Sequence, residues 1–92
     1  MREKADGVSE QTFTEKQGNY LAFIYAYSEI NGVAPAQTDL QRYFRVSPPT
    51  VHQMIKKLHE KGLIDRTAGA PRSIKVLLDP SELPILRRPR RA

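Results

Sequence analysis

Three stretches of helical periodicity, a serine–proline pair that opens the third, and two short alternating runs around a Gly/Pro tip predict a mainly α fold with a small β-hairpin: a winged helix-turn-helix, three helices followed by a two-stranded wing. The fold is expected over residues 13–78 of a 92-residue chain. A chain of this length holds one domain, because its small core buries only about two-thirds of the unfolded surface. Residues 1–12 are polar, aperiodic and include a glycine, which predicts a flexible N-terminal arm. Residues 79–92 hold three prolines and four arginines and predict a Pro/Arg-rich C-terminal tail.

Order is expected to begin at Phe13. Thr14 with Gln17 three positions on makes a capping-box pattern, and Phe13 is placed as a hydrophobic staple. The first helix then runs to about Asn31 and stops at Gly32. At a turn of ~100° per residue, Tyr20, Leu21, Phe23, Ile24, Tyr27 and Ile30 form one wide apolar stripe, the expected core face. Glu15, Gly18, Ala22, Tyr25 and Glu29 lie opposite. Pro35 forbids helix at its predecessor and favours a start just after itself, so VAPA is a turn. A short second helix is expected over 37–44, with Leu40, Tyr43 and Phe44 on its buried side. After Arg45 and Val46, Ser47 supplies a hydroxyl N-cap and Pro48 a proline at the first helical position. From there the third helix, 48–61, keeps Val51, Met54, Ile55 and Leu58 on one face and ends at Gly62. Residues 63–66 and 73–78 read as strands that set Ile64 against Ile74 and Val76, joined by TAGAPR at the hairpin tip.

Composition narrows the function. There is no cysteine, so disulfides and thiolate metal sites are excluded. No apolar run approaches the ~20 residues of a membrane span, and MREKADGVSE lacks a signal-peptide core, so a cytoplasmic protein without membrane association is expected. The net charge of +5 is one-sided: residues 1–40 total −3 and residues 41–92 total +8. That bias points to a polyanionic partner.

A helix that enters the major groove must present small or hydrogen-bonding side chains on its first turns while the opposite face anchors it. The third helix meets both demands. Pro49, Thr50, His52 and Gln53 are the expected base-contacting residues. Gln53 can pair with adenine, His52 can donate to guanine or phosphate, the Thr50 methyl can touch thymine, and Pro49 adds only apolar contact. Phosphate contacts are expected from Ser47 with the helix N-terminus, from Arg42, Arg45, Lys56 and Lys57, and from Arg66, Arg72 and Lys75 on the wing. The expected partner is therefore double-stranded DNA, with no cofactor.

Catalysis and metal binding find no support. His52 and His59 are seven residues apart on one helix, or about 10.5 Å along its axis, too far to share a metal ion. No Ser/His/Asp set, phosphate-cradling glycine loop or paired inward carboxylate can be assembled. The chain also lacks a platform of strand aromatics for stacking single-stranded bases. A winged helix used only as a protein–protein interaction module is the rival reading, as is a regulator of a mobile element. On the first helix Gly18, Ala22, Tyr25 and Ala26 form a small, apolar outer face, which suggests a homodimer seam.

Residues 14–40 and 46–76 together resemble the DNA-binding domain of the LexA repressor family, over about two-thirds of the chain. Thr14, Lys16, Gln17, Gly32, Pro35, Asp39 and Leu40 match its opening helices. Ser47, Pro48, Val51, Leu58, Lys61, Gly62, Leu63, Ile64 and the pair Arg72 and Ile74 match its recognition helix and wing. SPPTV and LHEKGLI are shared with MarR-type winged helices too. The resemblance implies a repressor-like transcription regulator whose base-reading positions fall on Pro49, Thr50, His52 and Gln53. Ala36 stands where the family has a capping threonine, Arg45 where the turn has glycine, and the turn is one residue shorter. The base-reading residues differ from the family's commonest ones, which implies a different operator. The family's serine–lysine peptidase domain has no counterpart in this sequence, so its autoproteolysis does not carry over.

Overall fold

The computed structural model describes residues 13–87; the arm expected over 1–12 and the last part of the tail, 88–92, lie outside the described residues. The elements are α1 (Glu15–Asn31), α2 (Gln37–Phe44), α3 (Pro48–Glu60), β1 (Ile64–Asp65), β2 (Lys75–Val76) and a 3-10 turn, Pro80–Glu82. Three helices followed by an antiparallel two-stranded wing make a winged helix-turn-helix.

α1 starts with the capping box expected of it. The Gln17 N–H donates to Thr14 Oγ1 at 3.1 Å, and the Thr14 N–H donates to Gln17 Oε1 at 3.0 Å. It stops at Gly32, whose φ of 74° is the left-handed conformation glycine tolerates best. Between these ends α1 is buried on more than its expected face. Tyr20, Leu21 and Ile24 are core, but Gln17, Gly18 and Ala22 are buried as well. The homodimer seam expected on Gly18 and Ala22 is thus inside the molecule: a Cβ on Gly18 would meet the Phe13 ring at 2.9 Å and Pro84 Cγ at 3.0 Å. Tyr25 and Ala26 are half-buried. Ile30, expected in the core stripe, is 81% exposed, because the last turn of α1 runs past the part of the helix that the core covers.

α2 has no side-chain cap at Ala36. Asp39, three residues on, accepts the Ala36 N–H at 2.8 Å and takes over from the missing threonine. Arg45 closes α2 with φ 58° and ψ 49°, the left-handed geometry usually left to glycine. α3 opens with Ser47 as N-cap, its Oγ accepting the Thr50 N–H. α2 packs on α3, α3 on β1, and α1 on β2. Their shared core is built on Leu21, Ile24, Leu40, Val51, Ile55 and Leu58, with Ile64 and Ile74 from the wing. At its edge Tyr20 stacks on Phe44 with ring centroids 3.9 Å apart, and Phe23 stacks on Tyr43 at 4.4 Å.

The wing pairs Ile64 with Val76 and Asp65 with Lys75, and the ladder is shorter than the two strands expected. Ser73 accounts for the difference. Its Oγ accepts the Thr67 N–H at 3.0 Å and donates across the tip, to Ala70 O at 2.8 Å, so side-chain bonds replace ladder bonds beyond Lys75. Residues 79–87, expected as a tail outside the fold, instead pack back onto α1. Asp79 caps the 3-10 turn by accepting the Ser81 N–H at 2.8 Å, Leu83 joins the core edge, and Pro84 covers Gly18. Proline denies a segment helix and ladder bonds, but it does not deny it packing, and here Asn19 supplies the backbone partners.

Candidate nucleic-acid interface

α3 separates its residues cleanly by face. Val51, Ile55 and Leu58 are fully buried, Met54 is half-buried, and Pro49, Thr50, His52, Gln53, Lys56 and Lys57 are all exposed. The four residues expected to touch bases therefore share the solvent side of the first turns of one helix. Thr50 is partly committed, since its Oγ1 lies 2.9 Å from Ser47 Oγ and the two hydroxyls share a hydrogen bond. That pairing engages the hydroxyl in the cap and favours the methyl as the group left to read a base.

Of the residues expected at phosphates, Ser47, Arg45, Lys56, Lys57 and Lys75 are exposed and Arg66 is half-buried. Arg42 is exposed, 3.6 Å from Asp39. Arg72 is different. Its Nη1 donates to Tyr27 Oη at 3.1 Å, to the Ala34 carbonyl at 3.2 Å and to Asp39 Oδ2 at 3.2 Å, which staples the base of the wing to α1, the interhelical turn and α2. Its own φ of 57° is strained for a side-chain-bearing residue, and these bonds hold it there. Asp39 sits at the centre of this set. The Ala36 N–H holds its carboxyl below the usual range, and Arg72, the Tyr27 hydroxyl and Arg42 act in the same direction against an opposing desolvation cost.

Three groups that sequence reasoning left out of the interface lie beside it. Lys16 and Asn19 on α1, and Arg87 in the returning segment, border one open groove with Thr50 and Met54 of α3. Lys16 carried a faint signal in its position inside the capping box. Arg87 carried none, because its place depends on a contact to Asn19 that spans 68 residues. Gln17 is a buried polar residue with a structural role, since its Oε1 also accepts Lys61 Nζ at 2.9 Å and so ties the end of α3 to the start of α1.

Comparison with known proteins gives the same reading. Residues 12–68 match the family described as iron dependent repressor, N-terminal DNA binding domain. The LexA repressor of Thermotoga neapolitana is 36% identical over 63 residues, 68% of this chain and 32% of that protein. The LexA repressor of Thermotoga maritima is 35% identical over 63 residues, with the same coverage of 68% and 32%. That of Petrotoga mobilis is 34% identical over 74 residues, 79% of this chain and 36% of that protein. The chain thus spans about a third of the length of these relatives. The LexA resemblance read from Thr14, Ser47 and their neighbours holds. Iron in the family's description finds no ligand set among the described residues: no group of three or more His, Cys, Asp or Glu side chains is placed to hold a metal ion. Nor is any helix among them long and apolar enough to cross a membrane.

Proposed function

The chain belongs to the iron dependent repressor N-terminal DNA-binding domain family, and from that premise we propose that it is a repressor-like, sequence-specific regulator of transcription that binds duplex DNA with α3 in the major groove and the wing on the phosphate backbone. One observation carries this reading. On α3 the polar and small residues of the first turns are exposed together, while three fully buried residues fix the helix to the core from behind. A helix so mounted is rigid enough to present a pattern of donors and acceptors to base edges.

Within this reading Gln53 pairs with adenine, His52 donates to guanine or phosphate, Thr50 places its methyl against thymine and Pro49 contributes shape. Ser47 and the N-terminal amides of α3 hold one phosphate, with Arg42, Arg45, Lys56 and Lys57 around them and Arg66 and Lys75 from the wing. Arg72 acts first as the staple that sets the wing's angle, and any phosphate contact comes second to that. No residue is assigned a catalytic role. Selection from a random duplex library tests the proposal: the folded chain should enrich one short motif. Recovery of unenriched sequence with folded protein overturns it.

A further inference from the structure

The returning segment is held in a way that docking alone does not require. Asn19, in the second turn of α1, uses both ends of its carboxamide on the main chain of Arg87: Nδ2 donates to the carbonyl at 3.0 Å, and Oδ1 accepts the N–H at 2.8 Å. The Tyr43 hydroxyl adds a longer bond to the same carbonyl at 3.5 Å. Two opposed bonds to one residue fix its direction as well as its position, as a closely spaced pair does in an antiparallel ladder. The residue so fixed borders the groove that α1 shares with α3, which Lys16 and Thr50 also line.

The chain beyond that anchor is strongly cationic. Arg87 is succeeded by Arg88, Arg90 and Arg91, with no acidic residue after Glu82. Five residues beyond the anchor reach no more than about 18 Å. That length is enough to pass one phosphate ridge from a major groove about 12 Å wide into a neighbouring minor groove about 6 Å wide. Arginine suits both places, as a phosphate ligand and as a cation drawn to the negative potential of a narrow minor groove.

We propose that residues 87–91 form a second DNA-contacting element, an arginine arm laid over the phosphates and minor groove that flank the sequence read by α3, with Asn19 as the positioning residue that aims it. The proposal rests on the functional reading above, in which α3 occupies the major groove. Its partner is the same duplex, and it adds a binding site longer than the recognition helix alone covers.

The test uses the full chain and its selected duplex, with binding measured from about 50 to 200 mM salt and hydroxyl-radical footprints taken on the same DNA. The variant Arg88→Ala/Arg90→Ala/Arg91→Ala leaves every described contact in place. It should bind at least about 10-fold more weakly at the low-salt end, with a log–log salt slope shallower by roughly 2–3. Protection at one flank of the footprint should vanish while protection over the central motif stays. Asn19→Ala keeps every charge; with its helical content unchanged by circular dichroism, it should lose the same flank protection and a few-fold in affinity. A triple variant that matches the wild type in affinity, slope and footprint overturns the arm and leaves the α3 reading standing. Flank protection that survives Asn19→Ala overturns the positioning role. A folded wild-type chain that enriches no duplex overturns the functional reading and the arm with it.

Discussion

Arg45 occupies left-handed backbone at φ 58° and ψ 49°, where a side chain costs conformational energy that glycine avoids. Its charge, exposed beside the start of α3, is a reason for an arginine to be there at all. Arg45→Gly should therefore separate the two effects, leaving stability unchanged or raised by up to about 1 kcal/mol while weakening binding to every duplex; thermal melts and titrations against random DNA read the two signs. Asp39 makes the opposite case, a charge kept for the fold. Its carboxyl titrates below the ordinary range in the folded chain because the Ala36 N–H, and then Arg72, favour the ionised form. A depressed folded pKa means that its stabilisation is fully present above the unfolded value, near pH 4, and is lost as the pH falls through the lower folded value. Asp39→Asn should cost about 1 kcal/mol at neutral pH, the worth of an ordinary hydrogen bond. In urea melts at successive pH values, that cost should shrink towards zero below about pH 4. At Gln53 the consequence is for specificity: Gln53→Ala should cost about 1–3 kcal/mol on the selected site and little on random DNA, whereas a uniform loss on both would place Gln53 at a phosphate.

At the scale of elements, α1 shows how a local rule is overruled by packing. Alanine is the better helix former by about 1 kcal/mol, yet a Cβ at Gly18 would lie 2.9 Å from the Phe13 ring and 3.0 Å from Pro84. Overpacking of that kind costs about 1–3 kcal/mol, so Gly18→Ala should lower the melting temperature and loosen the segment that carries Arg87; amide exchange at Arg87 is the sensitive readout. The start of α3 is legible in full from Ser47 and Pro48, since capping chemistry is local and needs no partner from elsewhere in the chain. The stripe on α1 is legible only in part. Periodicity identifies an apolar face, but it does not say how far along the helix the partners extend, and so it puts Ile30 inside when the residue lies outside. The same limit applies to Gly18, whose cover comes in part from Pro84 near the opposite end of the chain.

Taken whole, the molecule carries its positive charge on the half that forms α3, the wing and the returning segment, and its excess of acid on the half that precedes them. Neutralising about four to six phosphates should give a log–log salt slope of roughly −4 to −5, and a slope near zero would remove the backbone contacts from the reading. By itself the sequence determined the order of the elements, the caps that start α1 and α3, the inward face of α3 and therefore its outward residues, because each depends on spacing and chemistry within a few neighbouring positions. Tertiary structure alone decided that Arg72 is a staple, that the small face of α1 is largely interior and that Arg87 is anchored beside the recognition helix. These rest on contacts between residues dozens of positions apart, which form only once the helices have packed and which no local pattern encodes.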